Sequence, residues 1–201
     1  MRIRDVVVGS VLGLSACAGK LSSDDEAAYA YVGLDGAVSR ALALGLTGFN
    51  QADSANIATQ TGDGDVSGTM TVDGQVDRGA SDNKGLRLDV ALDEYADVED
   101  LEDDEKDEIV ITYFTDPDAT LPYFDLSLRN MPDGTLSGTL TGTFFMKGDL
   151  EDEVELNLQI DGAIEADPEV TDGVRRAEGS TTVTGTATTG RGGTFDVDVE
   201  I

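Results

Sequence analysis

The sequence predicts an all-β domain, an antiparallel meander of about eight strands with one N-terminal helix. Apolar and polar residues alternate in eight segments after residue 65, which is typical of strands buried on one face. Turn-forming sequences such as SDNKG and MPDGT separate many of these segments. No helix-length segment intervenes outside one acidic stretch, so neighbouring strands are expected to pair antiparallel. The meander can hide its apolar face as a closed barrel, a partly open barrel or a curved sheet, and all three stay open at this stage.

The helix is predicted to begin at a capping box formed by Ser23 and Glu26. Apolar residues follow at helical spacing: Tyr31, Leu34, Val38 and Leu42. Gly33 and Gly36 each cost about 1 kcal/mol relative to alanine, so the helix is expected to be either continuous or broken near Gly36. It would cover the sheet or plug an open end of a barrel. The following segment, 48–64, is predicted to be irregular.

The first strand segment, DVSGTMTVDGQVD, shows the alternation clearly. Its even-numbered positions from Val66 to Val76 are apolar or glycine, whereas its odd-numbered positions are polar or acidic. The same alternation recurs in GLRLDVALD, EIVITYF (mixed), YFDLSL, TLSGTLTGTFFMKG, EVELNLQIDGAI, STTVTGTA (weaker) and TFDVDVEI. We therefore expect one apolar face per strand, with glycines on that face where a strand bends or leaves room for a covering element.

Residues 1–16 have the organisation of a secretory signal peptide. Two arginines in MRIR precede an apolar stretch from Val6 to Leu14, and the small residues Ser15 and Ala16 follow it. A basic start, a short apolar segment and a small-residue cleavage site define such signals. The apolar stretch is shorter than the about 20 residues that a membrane-spanning helix needs.

The four residues Leu14-Ser15-Ala16-Cys17 resemble the lipobox of bacterial lipoproteins. The resemblance covers residues 1–17 and implies cleavage before Cys17, a diacylglycerol on its thiol and acylation of its new amino group. Two or three acyl chains hold a protein at a membrane for long periods, at about 0.8 kcal/mol per buried CH₂. Ala18, rather than an aspartate, after the cysteine implies the outer membrane of a double-membraned bacterium. The alternatives are a secreted protein with a chance SAC, a buried cysteine or a reactive thiol.

The predicted mature chain consists of a lipidated tether over residues 17–23 and a single soluble β-domain over residues 24–201. An extended tether of this length spans at most about 20 Å, which keeps the domain near the membrane. The chain has one cysteine, so no thiol remains for a disulfide once Cys17 is acylated.

The charge of the chain limits its partners. A net charge of −28, from 41 acidic and 13 basic residues, repels nucleic acid and excludes it as a partner. The same charge fits a domain held by acyl chains rather than by attraction to anionic lipids. An acidic surface also suits a salty environment, and this explanation competes with any binding role for the charge.

Catalysis and cofactor binding find no support in the sequence. The chain has no histidine, which excludes Ser-His and Cys-His pairs and histidine-ligated zinc. It contains no Walker loop and no dinucleotide-binding glycine fingerprint. Some pair of carboxylates arises by chance among 41 acidic residues, so such a pair does not indicate a glycosidase. We therefore expect no catalytic residues and no cofactor.

The densest charged feature is LDEYADVEDLEDDEKDE, residues 92–108. Carboxylate oxygens are ligands for calcium. The candidate calcium ligands in this stretch are Asp97, Glu99, Asp100, Asp103 and Asp104. A charge run is usually a solvated connection, and this one lacks the glycine-centred spacing of an EF-hand loop. Loose association with divalent cations is therefore expected rather than a specific metal site.

These observations predict a lipid-anchored envelope lipoprotein whose non-catalytic β-domain is a structural or binding module. It would be anchored in the outer membrane, on the periplasmic face or at the cell surface. The alternative is a carrier or binder of a hydrophobic small molecule or lipid in an apolar barrel lumen. The expected partners are the membrane, through acyl chains on Cys17, and an envelope protein or a hydrophobic ligand.

Overall fold

The computed structural model describes residues 19–97, 111–168, 170 and 173–201. Within these residues the chain forms one helix and ten strands in a single antiparallel sheet, which confirms the all-β prediction with an N-terminal helix. The elements are α1 Asp24–Gln51, β1 Asn56–Asp63, β2 Ser67–Val76, β3 Lys84–Ala96, β4 Ile111–Phe114, β5 Tyr123–Arg129, β6 Gly134–Gly148, β7 Glu153–Ala166, β8 Val174–Arg176, β9 Thr182–Thr189 and β10 Thr194–Glu200.

The order of the strands in the sheet follows their order in the chain. β4 and β5 both lie between β3 and β6, as two parts of one interrupted strand, and β8 and β9 share one side of β7 in the same way. The ten strands therefore occupy eight positions in the sheet. The eight segments predicted from the sequence correspond to all of these strands except β1 and β8. The sheet is curved rather than a clear barrel. Among the described residues, its terminal strands β1 and β10 do not pair with each other.

The prediction that residues 48–64 are irregular is wrong. α1 continues to Gln51, and β1 forms from Asn56 to Asp63. β1 is an edge strand that pairs with β2, and Ile57 is its one buried residue. Because backbone hydrogen bonds rather than burial stabilise it, its sequence shows little apolar alternation. The three-residue β8 was also not predicted, since it is too short to show a period.

Helix α1 is continuous, and its glycines lie where the helix approaches the sheet most closely. A Cβ on Gly33 would lie 2.6 Å from Tyr113 Oη, and one on Gly36 would overlap the carboxylate of Asp97. The glycines weaken the helix, but they allow a close approach that other residues would prevent. At the N-terminus, Ser23 Oγ accepts a hydrogen bond from the Glu26 N–H at 3.2 Å, as predicted. The Glu26 carboxylate accepts from Ser22 rather than from Ser23.

The hydrophobic core lies between α1 and the concave face of the sheet. The alternation predicted for the strands is confirmed, since the inward positions of β2 to β10 supply most of the buried apolar side chains. The largest fully buried side chains include Tyr31, Tyr95, Tyr113, Phe124, Leu34 and Leu42. Each buried side chain of this size contributes about 1.5–3 kcal/mol. Val66 is an exception: it is 50% exposed, because β2 begins only at Ser67.

A buried ion pair joins α1 to β8. The Arg176 guanidinium donates two hydrogen bonds to the carboxylate of Asp35, and the Nη1–Oδ1 distance is 2.8 Å. Arg176 Nε donates to Ser39 Oγ at 2.9 Å, and Tyr31 Oη donates to Asp35 Oδ1 at 2.7 Å. Burial and the nearby charge of Asp35 raise the pKa of Tyr31 well above its ordinary value, so Tyr31 stays protonated and remains a donor.

The outer edge of β10 has no partner strand in the described part of the chain. Asp24, at the start of α1, accepts a hydrogen bond from the Asp196 backbone N–H at 2.9 Å on Oδ1. Asp196, Asp198 and Glu200 alternate along the strand, and all three are exposed. The edge is therefore lined with negative charge, which opposes pairing with another strand.

Breaking the ion pair between Asp35 and Arg176 is expected to destabilise the domain strongly. Asp35→Leu leaves a guanidinium that is only 10% exposed without its counter-charge, so the free energy of unfolding should fall by about 3–5 kcal/mol. Adding Arg176→Met should recover most of that loss. Urea unfolding measures both effects.

The matched control is Glu165→Ala, which breaks the neighbouring but exposed pair with Arg175. Exposed pairs contribute about 0–1 kcal/mol, so this change should be small. Equal losses for Asp35→Leu and Glu165→Ala would show that the buried pair has no special role.

Candidate binding groove

The chain enters the fold close to the predicted lipidation site. Cys17 and the segment 1–16 lie outside the described residues, and Gly19 is the first residue that the structure describes. Gly19 forms a parallel bridge beside Leu150: its N–H donates to Asp149 O at 2.8 Å, and its carbonyl accepts from Glu151 N–H at 2.9 Å. Leu21 is 3% exposed. The part of the predicted tether after Ala18 is therefore folded onto the sheet.

A groove of about 700 Å³ lies on the outer face of the sheet. It crosses β1, β2 and β3 and ends at β5. Its lining residues are Asn56, Ile57, Ala58, Thr59, Asp73, Gly74, Gln75, Arg87, Asp89 and Tyr123. The groove is open to solvent, and seven of its ten lining residues have polar side chains.

Two neighbouring backbone irregularities bend the strands that form the groove. The pairing of β1 with β2 shifts register between Ile57 and Gln60, as in a β-bulge. Ile57 pairs with Gly74, whose φ of +134° is accessible to glycine but not to most other residues. A Cβ at Gly74 would also overlap the carbonyl oxygen of Arg87. Bulges bend strands and increase their twist, and together these features produce a concavity on a face that would otherwise be convex.

The pairing of the strands brings the polar side chains of the groove together. Asp73 of β2 lies opposite Asp89 of β3, and Asp89 lies opposite Tyr123 of β5. Two residue pairs along, and on the same face, Gln75 of β2 lies opposite Arg87 of β3. Gln75 Nε2 donates to Asn56 Oδ1 at 2.8 Å, which ties the groove wall of β2 to that of β1.

The groove has two carboxylates without a counter-charge. Partial burial and the charge of Asp73 raise the pKa of Asp89. Neither residue forms a salt bridge within the described ranges, and the guanidinium of Arg87, which also lines the groove, pairs with Asp77 at 2.8 Å. That hydrogen bond lowers the pKa of Asp77. Partial burial and the charge of Asp125 raise the pKa of Tyr123.

The one calcium candidate that the structure describes, Asp97, is engaged within the protein. Its Oδ1 accepts from the Asp65 N–H at 2.9 Å, and its Oδ2 accepts from Tyr95 Oη at 2.5 Å. Arg40 Nη2 lies 3.7 Å from Oδ1, and the side chain of Asp97 is 3% exposed. Burial and the hydrogen bond to Asp97 raise the pKa of Tyr95. Asp97 thus holds α1, β3 and the β1–β2 connection together.

The other calcium candidates, Glu99, Asp100, Asp103 and Asp104, lie outside the described residues. No cluster of three or more metal-ligating side chains occurs in the described part of the molecule. The groove could not be predicted from the sequence, because Asp73, Asp89 and Tyr123 have the pattern of ordinary outward-facing residues on separate strands. Only the register of the sheet shows that they meet.

The concave face, where an apolar lumen was the alternative expectation, is filled by α1. Leu34, Val38 and Leu42 project into it and are at most 1% exposed. Every buried side-chain nitrogen or oxygen among the described residues has a hydrogen-bond partner. A ligand of this domain would therefore find more room on the outer face than inside.

No protein family model, curated protein or solved structure matches this chain. Within the described residues, no helix combines the length and the apolar character of a membrane span. The function is therefore inferred from the residues themselves.

Removing one of the two opposed carboxylates is expected to stabilise the fold. The pKa of Asp89 is raised in the folded protein, so its ionisation lowers stability as the pH rises through that pKa. Asp73→Asn should lower the pKa of Asp89 and raise the free energy of unfolding by about 0.5 kcal/mol at neutral pH. The gain should vanish as the pH falls below the pKa of Asp89, where its carboxyl is protonated and no longer repels a charge at position 73, and it should shrink at high salt.

Urea unfolding across pH and carboxyl-carbon NMR measure these changes. The control is Asp198→Asn, the same substitution on the same face, at an exposed residue that lies opposite Thr184. An equal gain from Asp198→Asn would mean that the total charge, not the opposed pair, sets the effect.

Proposed function

We propose that this chain is a lipid-anchored lipoprotein of the bacterial envelope whose non-catalytic β-domain is a binding module. Its anchor is Cys17, acylated and held in the outer membrane, on the periplasmic face or at the cell surface. The basic, apolar and small-residue segments of residues 1–16 and the Leu14–Cys17 lipobox support the anchor.

The observation that carries the proposal is the position at which the chain joins the fold. Gly19 is already hydrogen-bonded to the β6–β7 connection, two residues after Cys17. In the described part of the molecule, buried core residues begin at Leu21. Acyl chains on Cys17 would thus be attached at the edge of a folded domain, where they can enter a bilayer without disturbing its core.

The groove supports a binding role in preference to that of a carrier. α1 fills the concave face, whereas the outer face has a groove of about 700 Å³ lined mainly by residues with polar side chains. Asp73 and Asp89 are close in the sheet and lack a counter-charge among the described residues. An ammonium or guanidinium group would relieve their repulsion, so the groove favours a partner that presents such a group, as a basic segment of an envelope protein does.

Loss of the cysteine should remove the anchor. Cys17→Ser cannot carry a thioether-linked lipid, so incorporation of an alkyne-tagged fatty acid should fall to background and the protein should leave the outer-membrane fraction. Lys20→Ala, three residues away at an exposed position, is the control and should keep both properties. Labelling, membrane fractionation and intact mass measure the outcome. A wild-type protein that takes up no fatty acid, or whose mature N-terminus is Met1, would refute the anchor.

The groove should bind a cationic peptide at a defined place. When the purified protein is titrated with trilysine at about 0.15 M salt, where long-range attraction is screened, the amide NMR shifts should change most at Asp73, Asp89 and Tyr123. The double change Asp73→Asn, Asp89→Asn should abolish these shifts, and Asp198→Asn should leave them intact. Shift changes spread evenly over the acidic surface would indicate binding by net charge alone and would refute the groove as a site.

A further inference from the structure

The segment from Gly19 to Ser23 is a fixed part of the fold rather than a loose linker. Gly19 adds a short parallel bridge to the β6–β7 connection through two backbone hydrogen bonds of 2.8 and 2.9 Å. Leu21 is buried in the core, and Ser23 caps α1. Three successive attachments of different kinds therefore hold the chain from Gly19 onwards.

This docking limits the distance between the lipidation site and the sheet. Cys17 precedes Gly19 by two residues, which span at most about 7 Å when fully extended. The acyl chains would therefore leave the protein beside the β6–β7 connection. A linker of this reach cannot let the domain turn over, because most of the sheet lies farther from Cys17 than the linker can extend.

The surface around this point is formed by two connections that lie side by side. The β6–β7 connection, 149–152, is joined to the β9–β10 connection, 190–193, by the ion pair of Asp152 with Arg191 at 2.8 Å. The Gly190 N–H also donates to Glu153 O at 2.9 Å. We name residues 19–20, 147–152 and 190–193 the anchor end.

The anchor end carries positive side chains in a molecule that has few of them. Lys20, Lys147 and Arg191 lie in it and are exposed, and Lys147 Nζ stands 4.6 Å from the centre of the Phe114 ring. They partly offset Asp149, Glu151 and Asp152, so this end is less repelled by lipid phosphates than the uniformly acidic edge of β10.

We infer that the anchor end is the surface of this domain that faces the lipid bilayer, and that its docked N-terminal segment holds the domain in one orientation. The inference rests on the proposed lipid anchor. Its partner is a phospholipid surface, which the acyl chains of Cys17 enter while the two connections rest on the headgroups.

The orientation places the groove away from the membrane. Strand β6 runs from the anchor end at Gly148 to Gly134, fourteen residues away, a length of up to about 46 Å. Tyr123 of the groove pairs with Thr141, seven residues from Gly148, or about 23 Å along β6. A partner protein could therefore reach the groove without displacing lipid.

Fluorescence energy transfer to the membrane tests the orientation. The acylated full chain has no free thiol at its one cysteine, so Glu151→Cys at the anchor end and Asp133→Cys at the far turn each create a unique labelling site, both at exposed positions. Each labelled lipoprotein is reconstituted into phosphatidylethanolamine–phosphatidylglycerol vesicles that contain a rhodamine lipid. Transfer should be roughly threefold more efficient from position 151, since the sites are separated by up to about 46 Å along β6.

A linker inserted between Ala18 and Gly19 tests whether docking sets the orientation. Ten Gly/Ser residues add a mean reach of about 18 Å, so the difference between the two labels should shrink towards equality. The control is the same linker placed between Pro132 and Asp133, in the turn at the far end. It should leave the transfer efficiency from position 151 unchanged.

The outcomes separate the two proposals. A protein whose intact mass shows no acyl chains, or which does not bind vesicles, refutes the lipid anchor. An acylated, vesicle-bound protein with equal transfer from both positions, or with greater transfer from position 133, leaves the anchor in place and refutes the orientation.

Discussion

The close packing of α1 in the concave face of the sheet is the constraint on which the rest of the structure depends. The helix contacts strands from both ends of the sheet, including β1 and β10, so it takes the place of the missing pairing between them. Gly33 and Gly36 destabilise the helix, but their lack of a side chain allows that close approach. Asp35 and Arg176 add a directional contact that fixes the helix relative to β8. Nonspecific burial alone would leave the helix free to slide.

The strands with a buried face could be predicted from the sequence because the alternation of apolar and polar residues lies within each strand. Alternation in β2, β3, β6 and β7 reports which side of each strand meets the core, and the observed burial agrees with it. β1 escaped prediction because Ile57 alone is buried in it. The groove and the ion pair of Asp35 with Arg176 also escaped, since 141 residues separate the paired charges and fifty separate Asp73 from Tyr123. Contacts of that range depend on the register of the whole sheet.

Because a helix fills the concave face, the side chains that a partner can reach lie on the outer face of the sheet. There the outward positions are mainly threonine, asparagine, glutamine and acidic residues. The regular pairing of β1 with β2 is interrupted by the bulge in β1 beside Gly74. This local irregularity shapes the groove, whereas the regular pairing of β2 with β3 brings Asp73 opposite Asp89. In the proposed function, the inner face of the sheet provides stability and the outer face provides recognition, with little overlap between the residues that serve each.

Under the proposed lipid anchor, the acidic edge of β10 has a further consequence. Confinement to a surface raises the local concentration of copies well above that of the same number of molecules in solution, and open sheet edges are then the natural place for aggregation to begin. Asp196, Asp198 and Glu200 give two approaching copies like charges along their whole contact line, and Asp24 already occupies one backbone donor. Crowded neighbours would thus stay separate, each with its groove still accessible.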